Sequence, residues 1–351
     1  MRKIVLALLM VFLLSATVCE AKVIENKYAK LFSIEKDNGY YIVKDSLNRT
    51  IVLWKDKKPS IKADLFVKIP VKRVVALSTT FVAYLEAIDC QDSIVGVVST
   101  KKWYFEDIEE KIKNGEIISV GRARSPDYER ILSLNPDIVL IHPRFAGNDV
   151  IKKFDSLGIP YVACDAAYEG HPLGRLEWVK PISTFFDKLD KAEDYFNSVE
   201  RKVIEIQKMV KGEEKTNVVY ALVLKGRVKV PGMDSYHAKL VEMAGGNYMF
   251  KDLYGTGYVA VSAEELINRA ANADVFIEIY MGGHLIESKD ELIQQVPGLA
   301  ETKPFKEDRV YTMQPWFWQR IHKMDIIIED LAAILHPELF PQHELTMFKK
   351  I

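Results

Sequence analysis

The chain has 351 residues, of which 48% are hydrophobic and 28% charged, with 18 Gly and 14 Pro. That composition excludes collagen-like and disordered classes and is enough for two domains with full-sized cores. With 48 basic against 49 acidic residues, no bulk charge grips nucleic acid or an anionic membrane. Three cysteines cannot make a disulfide framework or a four-thiolate zinc site.

Arg2 and Lys3 precede an apolar run from Ile4 to Leu14, followed by Ser15-Ala16-Thr17 and Cys19-Glu20-Ala21. A basic start, a short apolar run and small residues behind it read as a secretory signal over 1–21. The run is short for a spanning helix, which needs roughly 20 apolar residues. Cleavage after Ala21, a lipid anchor at Cys19 and a retained anchor are the alternatives. Cys90 and Cys164 then remain, and both sit in apolar settings that suit buried free thiols, with pairing as the alternative.

Residues 22–69 read as an appended β-rich segment, with strands at Tyr40–Val43 and Thr50–Trp54 and a turn from Asp45 to Arg49. Asn48-Arg49-Thr50 is also a glycosylation sequon. A βα rhythm occupies 70–180. Strands are expected at 74–77, 94–98, 138–141 and 159–163, and helices at 78–87, 127–134 and 149–157. Over 181–212 the rhythm gives way to one long helical stretch. Phe185, Leu189, Ala192, Tyr195, Phe196, Val199, Val203, Ile206 and Val210 recur in it at three- and four-residue spacing. The βα pattern restarts over 213–351, with strands at 218–223, 274–279 and 310–313 and helices at 236–244, 262–271 and 321–335. The pattern predicts an α/β protein: two parallel-sheet α/β lobes joined by a single long helix, with a ligand cleft between the lobes.

No P-loop, paired CxxC, HExxH or nucleophile elbow is present. Gly255-Thr256-Gly257-Tyr258-Val259-Ala260 matches a dinucleotide fingerprint in letters, but the stretch leads into a strand pattern rather than a helix. Asp234, Ser235 and His237 are too close in sequence for a triad and read as a helix start. His142 and His284 come after strand ends in different lobes, so a metal bridging the cleft is a minor alternative to ordinary loop histidines. The loops after strand ends are aromatic and basic. Trp103, Tyr104, Arg124, Arg144, Tyr168 and Arg175 belong to the first lobe, and Tyr258, Tyr280, Trp316, Trp318 and Arg320 to the second. Rings offer rigid flat contact and guanidinium forks grip anionic oxygens, so these are the candidate ligand-binding residues.

Several stretches resemble the periplasmic-binding-protein family of iron-chelate and cobalamin importers, the solute receptors of ABC transporters. They are Lys72–Leu77, Asp92–Val97, Val120-Gly121, Tyr128–Val139, Leu157–Val162, Leu240–Asn247, Val261–Leu266 and Phe305–Tyr311. The likeness runs from about residue 70 to 335. It implies that Glu129 and Glu264 dock onto permease arginines, and both lie in a helix's first turn, where a carboxylate is favoured.

The resemblance implies a secreted receptor, periplasmic or surface-associated, that hands a ferric chelate to an ABC permease and its ATPase. Cobalamin or haem is the alternative ligand. The receptor is expected to be a monomer that touches the membrane only through the permease or an anchor. It is expected not to be an enzyme and to hold no covalent cofactor. A metal-dependent enzyme using the same cleft is the rival from another class, and an adhesion protein without a filled cleft is a third.

Overall fold

The computed structural model describes residues 22–37 and 39–351. The expected signal segment lies outside the described residues. Among them, no helix is long and apolar enough to cross a membrane.

The described residues form three main sheets. The first is the N-terminal extension: Lys22–Ile24, Ser33–Asp37, Tyr40–Lys44 and Thr50–Trp54 pair antiparallel in that order, and Leu65–Lys68 joins Thr50–Trp54 in parallel. Its turn at 45–49 grips the next sheet. The buried Asp45 pairs with Arg49 at 2.6 Å and accepts the Ala163 N–H at 3.1 Å. Arg49 lies over the Tyr161 ring at 3.7 Å and donates to the Tyr161 carbonyl. The extension thereby covers what would be a bare sheet edge.

The second sheet is wholly parallel, in the order Tyr161–Ala163, Ile138–Ile141, Val74–Ala76, Ile94–Val97, Ile118–Ser119. Its strands are short and apolar because both faces are covered. Val74 and Ala76 face the main core, while Val75 faces a smaller one with Ile131, Val150 and Phe154. Ser78 accepts from Thr80 N–H and caps the helix Thr79–Ala87, close to the expected 78–87. Gly158, at φ 64°, stops the helix Asn148–Leu157.

The third sheet has a parallel centre. Thr216–Leu224 pairs with Gly246–Tyr248 and Val275–Glu278, and Val275–Glu278 pairs with Val310–Met313. Antiparallel strands extend it: Arg227–Pro231, then Tyr258–Val261, and on the far side Phe348–Lys350. Arg227–Pro231 was not anticipated. It arises from Lys225-Gly226, both at positive φ (52° and 72°), which form the two-residue hairpin turn that suits right-twisted strands. The chain end is drawn in by the buried Asp330, whose carboxylate accepts N–H groups from Thr346, Met347 and Phe348.

The link between lobes is shorter than its 181–212 pattern. Val179–Thr184 forms a separate short helix, the chain turns at Asp187 (φ 55°), and the long helix runs Leu189–Met209. Phe185 therefore belongs to the first lobe, where its carbonyl accepts from Val71 N–H. Periodicity carries across such a turn because both helices bury one face in the same core. The 21 residues span about 32 Å at 1.5 Å per residue. Leu189, Ala192, Phe196, Val199, Val203 and Ile206 are buried as the spacing predicted. Phe196→Ala should cost about 3–5 kcal/mol, because the ring is fully buried and the helix cannot collapse onto the void. Urea denaturation would measure it, and a cost under 1 kcal/mol would contradict this packing.

Candidate functional site

The strands of both lobes end at one cleft, which has two adjoining compartments of about 480 and 610 Å³. Ser78, Thr80, Phe145, Met281 and Trp318 wall both.

The first compartment holds His142, Tyr168, Glu169 and Arg175 from the N-terminal lobe. It faces Ser235, Tyr236, His237 and Tyr258 from the other. Arg175 Nε donates to the Glu169 carbonyl at 3.0 Å, and the guanidinium lies 4.1 Å over the Tyr236 ring. Arg175 forms no ion pair among the described residues. Burial lowers its pKa from the ordinary arginine value, but a guanidinium remains charged.

The two histidines are neutral. Burial pushes His142 down to about 4 and His237 down to about 3, with the Arg175 charge acting in the same direction. His142 stacks on Phe81, and its Nδ1 contacts the Cys164 carbonyl. A carbonyl only accepts, so Nδ1 carries the proton and Nε2 the lone pair. His237 sits among Tyr220, Tyr236, Tyr258 and Trp318, and its buried Nε2 has no hydrogen-bond partner among the described residues. Ser235 Oγ accepts from Ala238 N–H as a helix cap. The compartment is thus a largely apolar, ring-lined chamber with one unpaired cation and unprotonated imidazoles.

The second compartment is more basic. Lys101, Lys102 and Arg122 line it with Ser99, Thr100, Tyr104 and Tyr280, and no carboxylate is among its lining residues.

Beside it the lobes are fastened together. Arg320 meets Glu86 through two 2.9 Å contacts and donates to the Tyr104 carbonyl. His322 Nε2 reaches the same carboxylate at 3.0 Å. The Gln319 amide accepts from Tyr104 N–H and donates to the Lys102 carbonyl.

Of the eleven expected ligand-binding residues, six line the cleft: Tyr104, Tyr168, Arg175, Tyr258, Tyr280 and Trp318. Trp103 is buried beside Phe105, and Trp316 donates to the Thr346 carbonyl. Arg124 lies over Phe145 at the rim, Arg144 pairs with Asp165 over Tyr168, and Arg320 belongs to the fastening. Glu129 and Glu264 are both exposed in first helical turns. His284 is exposed and pairs with Glu291, away from His142's chamber. Among the described residues no group of three or more His, Cys, Asp or Glu converges as a metal site. Cys90 and Cys164 are buried and unpaired.

Ser78, Thr80, Glu169, Tyr236, His237, Thr256 and Met281 line the first compartment without having been singled out for it. Most come just after a strand or open a helix, which is the available signal. Ser235–His237 do form a helix start, and that start also walls the chamber.

Residues 74–315 match the family described as periplasmic binding protein, and the chain belongs to it. This is the class of two-lobed substrate-binding proteins that serve ABC importers. An uncharacterised lipoprotein of Methanocaldococcus jannaschii is 36% identical over 293 residues, 81% of this chain and 70% of the relative. The ferric-anguibactin-binding protein of Vibrio anguillarum is 24% identical over 273 residues, 74% of this chain and 81% of that one. In structure, a periplasmic heme-binding protein from Pseudomonas aeruginosa superposes with TM-score 0.64 at 19% identity, covering 76% of this chain and 93% of its own. That likeness shows the shared fold.

The neutral histidines make stability depend on pH. Unfolded, each takes a proton near 6.5; folded, His142 does so only at about 4 and His237 at about 3. Between those values the unfolded chain binds more protons, so stability falls as pH drops from about 6.5 towards 4. Thermal melts across that range should show the decline, and His237→Phe should flatten it. An unchanged slope in the variant would contradict the buried neutral assignment.

Proposed function

We propose that this protein works outside the cytoplasmic membrane as the substrate-binding component of an ABC importer, capturing a ferric chelate and passing it to a permease and its ATPase. The observation that carries this reading is the unpaired, half-buried Arg175 guanidinium in a ring-lined chamber between the lobes. A ferric chelate with anionic oxygens and flat aromatic arms complements both features. The basic second compartment adds attraction for anionic groups. The name of the Vibrio relative points the same way. We take the cleft to bind and release its cargo unchanged, since Ser235 is engaged as a helix cap and not with His237. In this reading 22–69 is an appended sheet and 70–180 and 213–351 are the two lobes.

Arg175→Ala should weaken an anionic ferric chelate by about 1.5–3 kcal/mol, roughly ten- to a hundredfold, the worth of hydrogen bonds to a charged group. Quenching of Trp318 fluorescence would report it. Unchanged affinity would remove the central support. Haem is a second reading, favoured by the unprotonated His142 and His237 in one apolar chamber. A haem-type absorption band that shifts in His142→Ala or His237→Ala would support it.

We assign Glu129 and Glu264 to permease docking. Both are exposed, and each lies at the N-terminal end of a helix, one on each lobe. Reversing both charges, Glu129→Lys with Glu264→Lys, should abolish uptake into vesicles bearing the permease and ATPase and leave chelate affinity intact. Lost affinity would instead tie these residues to the cleft.

A further inference from the structure

Residues 27–31 precede the stretch that matches the family. They nevertheless turn five consecutive backbone N–H groups onto two buried carboxylates that bracket Arg175 in sequence. Lys27, Tyr28 and Ala29 donate to Glu177, each at 2.9 Å. Lys30 donates to Glu169 at 3.0 and 3.1 Å, and Leu31 at 3.0 Å. The Trp178 indole adds a bond to Glu169 at 3.2 Å, and Lys180 pairs with Glu177 at 2.7 Å.

Glu169 lines the same chamber as Arg175, and its carbonyl holds Arg175 Nε. A carboxylate so near a half-buried guanidinium would ordinarily pair with it. Here its oxygens are already occupied by N–H donors, and Arg175 is in no ion pair among the described residues. The segment is closely fitted. A Cβ on Gly174 would meet the Tyr28 carbonyl oxygen at 3.1 Å and its carbon at 3.2 Å. The Tyr28 ring stacks on His171 at 4.5 Å, and its hydroxyl donates to Glu200 of the linking helix at 3.0 Å.

We propose that residues 27–31 are a specificity element of the ligand chamber. Their N–H groups hold the Glu169 carboxylate off Arg175, which leaves the guanidinium unpaired and selects an anionic chelate over a neutral one. This rests on the reading of the cleft as a chelate site. It makes the appended N-terminal sheet part of the binding machinery and Glu169 a positioning residue. Displacing the segment frees the carboxylate to pair with Arg175 and repel an anionic ligand; removing that charge restores the free cation.

The test compares two probes of similar size in the full chain: the trianionic ferric complex of a hexadentate tris-catecholate and the neutral ferric complex of a hexadentate tris-hydroxamate. Gly174→Val wedges the segment away. It should weaken the trianionic probe about tenfold, one charged hydrogen bond's worth, and leave the neutral probe's affinity unchanged. Adding Glu169→Gln to Gly174→Val should restore selectivity for the anion. A steric effect on Arg175 would not be rescued this way. Should Gly174→Val fail to fold, Lys27→Ala with Tyr28→Ala loosens the same segment from Glu200 and His171 and is read the same way. Equal losses for both probes, no loss for the trianion, or no rescue by Glu169→Gln each overturn the proposal. If the unaltered chain binds neither probe, the chelate reading falls first and takes this inference with it; if it binds the trianion and only the rescue fails, the chelate reading stands.

Discussion

Everything at the cleft depends on two sheets that share no strand being held at a set distance. A helix of 21 residues does part of this. Against it, where Tyr195 of the helix donates to the His322 carbonyl, the Arg320–Glu86 ion pair and the Gln319 amide lace the lobes together. Helix and fastening resist different motions: the helix opposes stretching, and the cross-lobe hydrogen bonds oppose twisting and opening beside the second compartment. A binding site built between bodies so held needs little closure, so its selectivity has to come from the chemistry already on its walls.

That chemistry is controlled by burial. His142 and His237 lie close enough to Arg175 for its charge to lower their pKa, and desolvation acts in the same direction, so both stay neutral. The chamber therefore does not accumulate positive charge at neutral pH. One guanidinium, stacked on Tyr236 and held by a carbonyl, presents its remaining N–H groups. The neighbouring compartment distributes Lys101, Lys102 and Arg122 at its more open wall. A ligand spanning the cleft meets exposed positive charge in one compartment and a single directional cation among rings in the other.

The N-terminal extension is fitted to this arrangement at two places. Its turn at 45–49 covers the edge strand that leads to Cys164 and Asp165, next to His142 and Arg144. Its loop at 27–31 saturates Glu169 and Glu177 around Arg175. Unpaired buried carboxylates would be costly. N–H groups satisfy Glu169 without bringing in a counter-cation to compete with the guanidinium, while Glu177 also pairs with Lys180.

Much of the architecture was legible in the residues themselves. The strands at Val74, Ile138 and Val310, the helix starts at 78 and 262, where Ser78 accepts from Thr80 N–H and Ser262 from Glu265 N–H, and the buried stripe from Leu189 to Ile206 come from local periodicity and capping, which neighbouring residues decide among themselves. The C-terminal hairpin at Lys225-Gly226 and the pairing of Phe348–Lys350 with Val310–Met313 were less visible, because single antiparallel strands carry few residues of pattern. The aromatic and basic loops marked the region of the cleft and supplied Tyr104, Tyr168, Arg175, Tyr258, Tyr280 and Trp318. Sequence by itself determined which residue types stand after each strand. Only the tertiary structure decided that Arg175 keeps a free charge while Arg144 and Arg320 are paired, that Trp103 is buried, and that Glu169 answers to residues 138 and 139 positions earlier in the chain. The physical reason is that side-chain pairing and burial depend on which distant segments meet in space, and local spacing carries no record of that.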